Sequence, residues 1–246
     1  MNDGEPLHVV SLSGGKDSTA MLLMMTKRGM RVDEAVYFDT GWEFPAMHDH
    51  LDLVEERAGI AITRFGPDKP FDYWMFDHVR TRGDHKGEAG YGWARPNARW
   101  CTKLKTTAID KHIASISQGG EVVQYIGIAA DEPHRIRDKR YPLAEWGVTE
   151  AAALEYCYAH GYDWGGLYEH FPRVSCWCCP LKSLPELRKL RHEFPELWAR
   201  LREMDARAWN SFRIDYSVDQ LERRFALEDA QTVMDFGGGS YDWPVD

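Results

Sequence analysis

The chain has 246 residues, a formal net charge of −9 and 43% hydrophobic residues, among them 10 Trp. This is enough apolar material for one large α/β domain, or one domain with an appendage. No apolar run approaches the roughly 20 residues of a membrane helix, and Met1-Asn2-Asp3-Gly4-Glu5 lacks a secretory layout, so a cytoplasmic protein with no membrane partner is expected. The acidic balance excludes indiscriminate nucleic-acid binding; RNA or DNA would need a local basic patch.

The first predicted element is a buried strand over Leu7–Leu12, broken at Gly14-Gly15 and followed by a helix that stops at Gly29. Strand, glycine turn and helix aim backbone N–H groups and a helix N-terminus at an anion. Ser13 and Ser18 add hydroxyls and Lys16 a charge. The spacing is not the Walker pattern, whose first glycine is missing. Ser13-Gly14-Gly15-Lys16-Asp17-Ser18 instead resembles the PP-loop of ATP pyrophosphatases, which cleave ATP between its α and β phosphates. A modified form of the loop occurs in the phosphoadenosine phosphosulfate (PAPS) and APS reductases. The resemblance implies a doubly wound parallel sheet of the adenine nucleotide α-hydrolase-like type, with ATP and Mg²⁺ as ligands and Ser11 joining residues 13–18 in binding.

A second strand is predicted over Val32–Asp39, a helix over Pro45–Gly59 with Met47, Leu51, Val54 and Ala58 on one stripe, and a third strand over Ile60–Phe65. This alternation implies right-handed βαβ units. Asp39 and Thr40 end the second strand, where α/β sheets collect ligands. The segment Phe38–Pro45 also resembles the stretch beside the nucleotide in PAPS-reductase-like proteins. Phe71–Phe76 reads as a short helix. Arg80–Gly92, rich in Gly and charge, reads as a mobile loop and a candidate lid over the nucleotide.

Arg95–Lys105 holds four basic residues and no acid, which suggests a second anion contact, and resembles the Cys-x-x-x-Lys region of the sulfonucleotide reductases. Cys101 and Lys103 are the candidates there. A helix over Thr106–Ser117 and a strand over Val122–Ile128 follow. Gly127 closes that strand as a further nucleotide contact. The next stretch resembles the family's Gly-Ile-x-x-Asp-Glu-x-x-Arg segment, which makes Arg135 the arginine that meets nucleotide or substrate. The catalytic set is therefore Lys16, Asp17, Lys103 and Arg135. His134, Arg135, Arg137, Lys139 and Arg140 form the local basic run through which an RNA or DNA acceptor would be met.

A helix with Thr149 as N-cap and Gly161 as stop carries Cys157 on an apolar face, where a cysteine is usually core. Ser183-x-x-Glu186 is a capping box, and a helix from Pro195 turns Leu197, Leu201 and Met204 inward. The last residues, from Asp235, read as a loose or aromatic-docked tail. The domain expectation is a nucleotide-binding domain over 1–180 and a helical appendage over 181–246.

The five cysteines are Cys101, Cys157, Cys176, Cys178 and Cys179; an odd count in a reducing compartment argues for metal or redox chemistry. Cys176-x-x-Cys179 has the separation at which two thiolates reach one metal or cluster, and the segment resembles the Cys-x-x-Cys-Pro of PAPS-reductase-like proteins. With Cys101 as third ligand, a [4Fe-4S] cluster would keep one iron open for sulfide, as in cluster-dependent tRNA thiolases of the superfamily. A fourth ligand, Cys178 or Cys157, would close the site, as cluster or Zn²⁺.

Three functions are carried forward. The leading one is an ATP-dependent, adenylylating sulfur-transfer enzyme acting on a nucleic-acid or small-molecule acceptor, with a sulfur-donor protein as partner. The second is a PAPS or APS reductase. The third is an ATP-sensing module that works with a partner from its own operon.

Overall fold

The computed structural model describes residues 5–237. Two compact units form, the first from residues up to 72 together with 99–179, the second from 73–98 together with 180 onward. The second unit thus takes in a segment, 73–98, that the sequence reading counted with the first.

The first unit is built on a four-stranded parallel sheet in the order β3-β2-β1-β4, with β1 at Leu7–Ser11, β2 at Glu34–Phe38, β3 at Ile62–Phe65 and β4 at Val122–Ile126. Each predicted strand is present, with shorter ends. Register pairs Val10 with Ala35 on one side and with Tyr125 on the other. The strands read as nearly continuous apolar runs because helices cover both faces. Helix α1 (Lys16–Lys27) follows β1, α2 (Pro45–Ala58) follows β2, the short α3 (Phe71–Phe76) follows β3, and α4 (Trp100–Ser117) returns the chain to β4. Right-handed crossovers place α1 and α2 on one face and α4 on the other. Val9 and Val36 accordingly pack with Ile113 of α4, flanked by Phe65 and Ile109. Strand order reverses between β1 and β4, the switch point at which open α/β sheets bind ligands. The loop after β1 lies there.

Helix α4 begins at Trp100, six residues before the predicted start, so Cys101, Lys103 and Lys105 are helical. After β4 come α5 (Pro142–Glu145), α6 (Glu150–Ala159) and α7 (Leu167–His170). Helix α6 is capped as predicted, the Thr149 hydroxyl accepting from the Ala152 N–H at 3.2 Å, and it packs on α1.

The second unit carries α8 (Leu184–Glu193), α9 (Pro195–Arg207) and α10 (Val218–Gly237). The Ser183/Glu186 capping box is formed. Helix α9 buries Trp198, Leu201 and Met204, while Leu197 is only half-buried. Arg191 ties α8 to Glu222 and Asp229 of α10. The segment expected as a lid folds on itself, with Arg80 N–H donating to the Glu88 carbonyl and Gly90 N–H to the His78 carbonyl. Its Arg80 and His85 both lie against the Trp209 ring. The predicted tail beyond Gly237 lies outside the described residues. No helix among the described residues is long and apolar enough to cross a membrane.

Candidate active site

The loop after β1 owes its shape to short-range hydrogen bonds. Ser13 N–H donates to Ser18 Oγ at 3.1 Å, the two hydroxyls are 2.9 Å apart, and Ser18 Oγ donates to the Gly15 carbonyl at 3.0 Å. Gly14 has φ +77°, and a Cβ there would stand 2.5 Å from Met47 Sδ. The N-cap of α1, Gly15, supplies no side-chain cap, so the first N–H groups of the helix depend on outside partners. One partner is Tyr168 of α7, whose hydroxyl accepts from Lys16 N–H at 2.7 Å.

Lys16 is 5% exposed and turned into a charge cluster. Its ammonium lies 2.8 Å from Asp17 and 3.3 Å from Glu150. Asp17, Glu132 and Glu150 have carboxylate oxygens within 4.8 Å of one another. Arg135 and Arg173 both pair with Glu132, and Arg173 also reaches Glu150 at 2.8 Å. Burial pushes the Asp17 carboxyl up against the pull of Lys16. Burial acts the same way on Glu132, but the two arginines outweigh it and hold that carboxyl below its usual range. Three acids and three cations thus neutralise one another, and Arg173 links the loop to the cysteine segment that follows it.

Beside the loop opens a cavity of about 430 Å³. Ser13, Thr40 and Glu43 line it from the strand ends, Phe44, Met47 and Phe71 give it an apolar wall, and Cys101, Lys105, Arg135 and Cys176 complete it. Thr40 Oγ1 is 2.7 Å from the Glu43 carboxylate and 3.7 Å from Cys176 Sγ. Burial and a hydrogen bond to Asp39 hold the Glu43 carboxyl above the carboxylate range. Burial and the Glu43 charge push the Cys176 thiol up to about 12, and burial raises that of Cys101. A turn closed by Cys179 N–H on the Cys176 carbonyl, at 3.2 Å, sets those two cysteines at its ends. Cys101 and Cys176 line the cavity, and Cys179 stands across a tight turn from Cys176, so the thiols suit a metal or cluster in donor type; among the described residues the side chains already gathered within 4.8 Å of one another are the carboxylates Asp17, Glu132 and Glu150, not these cysteines.

Of the residues singled out from sequence, Ser13, Thr40, Cys101, Arg135 and Cys176 meet in this cavity. Others do different work. Lys16 and Asp17 face the acid cluster rather than an open loop surface. Lys103 is exposed and off the cavity; Lys105, one turn beyond Cys101, takes the place foreseen for it. Ser11 accepts from the Gln124 amide of β4 at 2.8 Å, and Asp39 accepts from Gly41 N–H at 2.7 Å. Gly127 is a packing glycine, because a Cβ there would lie 2.6 Å from the Ser18 backbone. Cys157 is fully buried with its thiol directed at the Lys16 carbonyl, and Cys178 is buried off the cavity. Sequence reasoning passed over Glu150, Arg173, Trp164 and Tyr168, which reach the loop only through tertiary folding.

Known proteins add context. Over 207 residues the chain is 27% identical to an uncharacterized protein of Methanocaldococcus jannaschii, covering 77% of this chain and 39% of that protein. Over 149 residues it is 29% identical to the uncharacterized nin region protein ORF290 of Escherichia phage lambda, covering 54% of this chain and 51% of that one. The chain therefore spans about half or less of these relatives. Among solved structures it is similar to the U34-tRNA thiolase NcsA of Methanococcus maripaludis, solved with its [4Fe-4S] cluster, at TM-score 0.44 and 14% identity over 92% of this chain and 72% of that one. Residues 7–182, from the first strand through the Cys-x-x-Cys-Pro segment, match the phosphoadenosine phosphosulfate reductase domain, and the chain belongs to that family.

Proposed function

We propose that the protein is an ATP-dependent sulfur-transfer enzyme that activates an acceptor oxygen by adenylylation. The observation that carries this reading is the meeting of Ser13 of the anion loop with Cys101 and Cys176 on the walls of one cavity. ATP enters as its Mg²⁺ complex, because the acids near the loop are committed to Lys16, Arg135 and Arg173. Ser13 and the first N–H groups of α1 hold the leaving pyrophosphate, while Lys105 and Arg135 neutralise charge on the phosphates from the cavity side. Phe44, Met47 and Phe71 offer the base an apolar wall.

An acceptor oxygen attacks the α-phosphorus, and the bond to the β-phosphate oxygen breaks to release pyrophosphate. Sulfide from a donor protein then attacks the acceptor atom that bears this oxygen; the bond to sulfur forms as the bond to oxygen breaks, and AMP leaves carrying that oxygen. When bound by Cys101, Cys176 and Cys179, a [4Fe-4S] cluster would supply an open iron able to hold sulfide; Zn²⁺ on the same thiols would be structural. Either ligand needs thiolates, so loading the site releases the protons that burial holds on Cys101 and Cys176. The exposed run His134–Arg140, which includes Arg135, offers a nucleic-acid acceptor its local basic patch.

The test combines pyrophosphate release with candidate acceptors and the iron, sulfide and zinc content of anaerobically purified protein. Pyrophosphate release that depends on acceptor, with iron and sulfide lost in Cys101→Ala, Cys176→Ala and Cys179→Ala, is expected. Zinc without iron would overturn the cluster. Bound nucleotide without turnover would leave an ATP-sensing module. The family match by itself favours a second reading, sulfonucleotide reduction, and sulfite release from PAPS or APS would establish it; the last cysteine in this sequence is Cys179.

A further inference from the structure

The anion loop is held from behind by a strained turn. Trp164 lies in the left-handed region at φ +54°, followed by Gly165 and Gly166 at +59° and +82°. A left-handed non-glycine residue costs on the order of 1 kcal/mol or more and persists where its surroundings impose it. Here the turn drives the Trp164 ring, 1% exposed, under the loop, where its Nε1–H donates to the Gly14 carbonyl at 2.7 Å. His50 stacks on the same ring with centroids 4.3 Å apart and meets Thr19 Oγ1 through Nε2 at 3.0 Å, and Thr19 Oγ1 lies 3.5 Å from the same Gly14 carbonyl.

The consequence is stereochemical. In a trans peptide the C=O and the following N–H point in opposite directions. With the Gly14 carbonyl fixed toward the buried indole, the Gly15 N–H must point away from it, to the side of Ser13, which lines the cavity. Its one partner among the hydrogen bonds above is Ser13 Oγ at 3.4 Å, a long contact that leaves the donor available to an anion.

We propose that Trp164 is a positioning residue for the anion site: its indole N–H locks the Gly14–Gly15 peptide in the orientation that presents the Gly15 N–H to pyrophosphate. The proposal rests on the reading of the loop as the pyrophosphate site. Without the indole donor the Gly14 carbonyl keeps only the long Thr19 Oγ1 contact at 3.5 Å, and the peptide is held less firmly in the orientation that sets the N–H for the ligand. Loss of one such hydrogen bond corresponds to about tenfold weaker binding.

The test is pyrophosphate affinity, measured by calorimetry, for wild type, Trp164→Phe and a protein carrying 3-benzothienylalanine at position 164. The benzothienyl ring keeps the size and stacking of indole and lacks only the N–H, so a purely structural role would leave its binding unchanged. Affinity about tenfold weaker in the benzothienyl protein, which still melts in one cooperative transition at a somewhat lower temperature, is expected. Equal affinity there would overturn the proposal while sparing the loop assignment. No pyrophosphate binding by the wild type would overturn the loop assignment and this proposal together. Should Trp164→Phe fail to fold, the benzothienyl protein alone decides.

Discussion

His50 makes the support of the anion loop sensitive to pH. Its ring is 3% exposed, with Nε2 against Thr19 Oγ1 and Nδ1 without a hydrogen-bond partner in the structure. The arrangement suits a neutral ring whose Nε2–H donates to Thr19 and whose bare Nδ1 needs no acceptor. Protonation would place an N–H on Nδ1 with nothing to receive it. Burial accordingly lowers the His50 pKa to about 4, and the Asp163 charge only partly opposes it. In the unfolded chain the ring titrates near 6.5. Between those values the unfolded chain binds more protons than the folded one, so stability is full above pH 6.5 and falls as pH drops toward 4. Between pH 7 and pH 5 the loss from this one group is roughly 2 kcal/mol. Urea denaturation of wild type and His50→Gln across that range isolates it, because the carboxylates titrate alike in both. The stability difference between the two proteins should shrink, or reverse, by about 2 kcal/mol on going to pH 5. A difference independent of pH would refute the neutral, poorly solvated His50.

Gly127→Ala should destabilise by about 3 kcal/mol, at the upper end for overpacking, because its Cβ would meet backbone atoms of Asp17 and Ser18 that cannot rotate away. Urea midpoints and ATP affinity should fall together, and an unchanged protein would show that β4 and α1 are not in contact there. Lys105→Ala should weaken ATP binding about tenfold, as loss of one charge-assisted contact does, while Lys103→Ala stays within about twofold of wild type. The reverse ranking in an equilibrium binding assay would place the wrong lysine in the cavity. Lys16→Met should cost on the order of 2 kcal/mol, less than a fully buried pair because Glu150 is 30% exposed, and should raise the Asp17 pKa further. Wild-type stability in thermal denaturation would remove Lys16 from the charge cluster.

The periodicities that carry the fold are local and were therefore legible in the chain. Alternation of short apolar runs with amphipathic segments predicted the strands, and the caps at Thr149 and Ser183 set helix starts, since each uses residues within a turn of one another. The loop at Ser13–Ser18 and the Cys176/Cys179 pair were likewise readable, because their chemistry lies in adjacent residues. The start of α4 was not. The sequence reading began that helix at Thr106 and named Lys103, although the Cys-x-x-x-Lys spacing itself ends on Lys105; the helix from Trp100 puts Lys105 on the cavity one turn beyond Cys101.

What the sequence determined by itself was the family and the parallel sheet that brings strand ends together, and it placed the proposed anion loop at a strand end and the candidate thiols in Cys101 and the Cys176/Cys179 pair. The tertiary structure decided which way the side chains turn. Lys16 reads as a phosphate contact until Glu150, from a helix far along the chain, draws its ammonium into a cluster of acids. Gly127 reads as a ligand contact until the Ser18 backbone is found against it. Trp164 carries no motif, and three consecutive left-handed residues place its indole N–H under Gly14. Ion pairs, close backbone approaches and buried donors form between segments remote in sequence, so no local pattern encodes them; they exist only once the sheet has set those segments side by side.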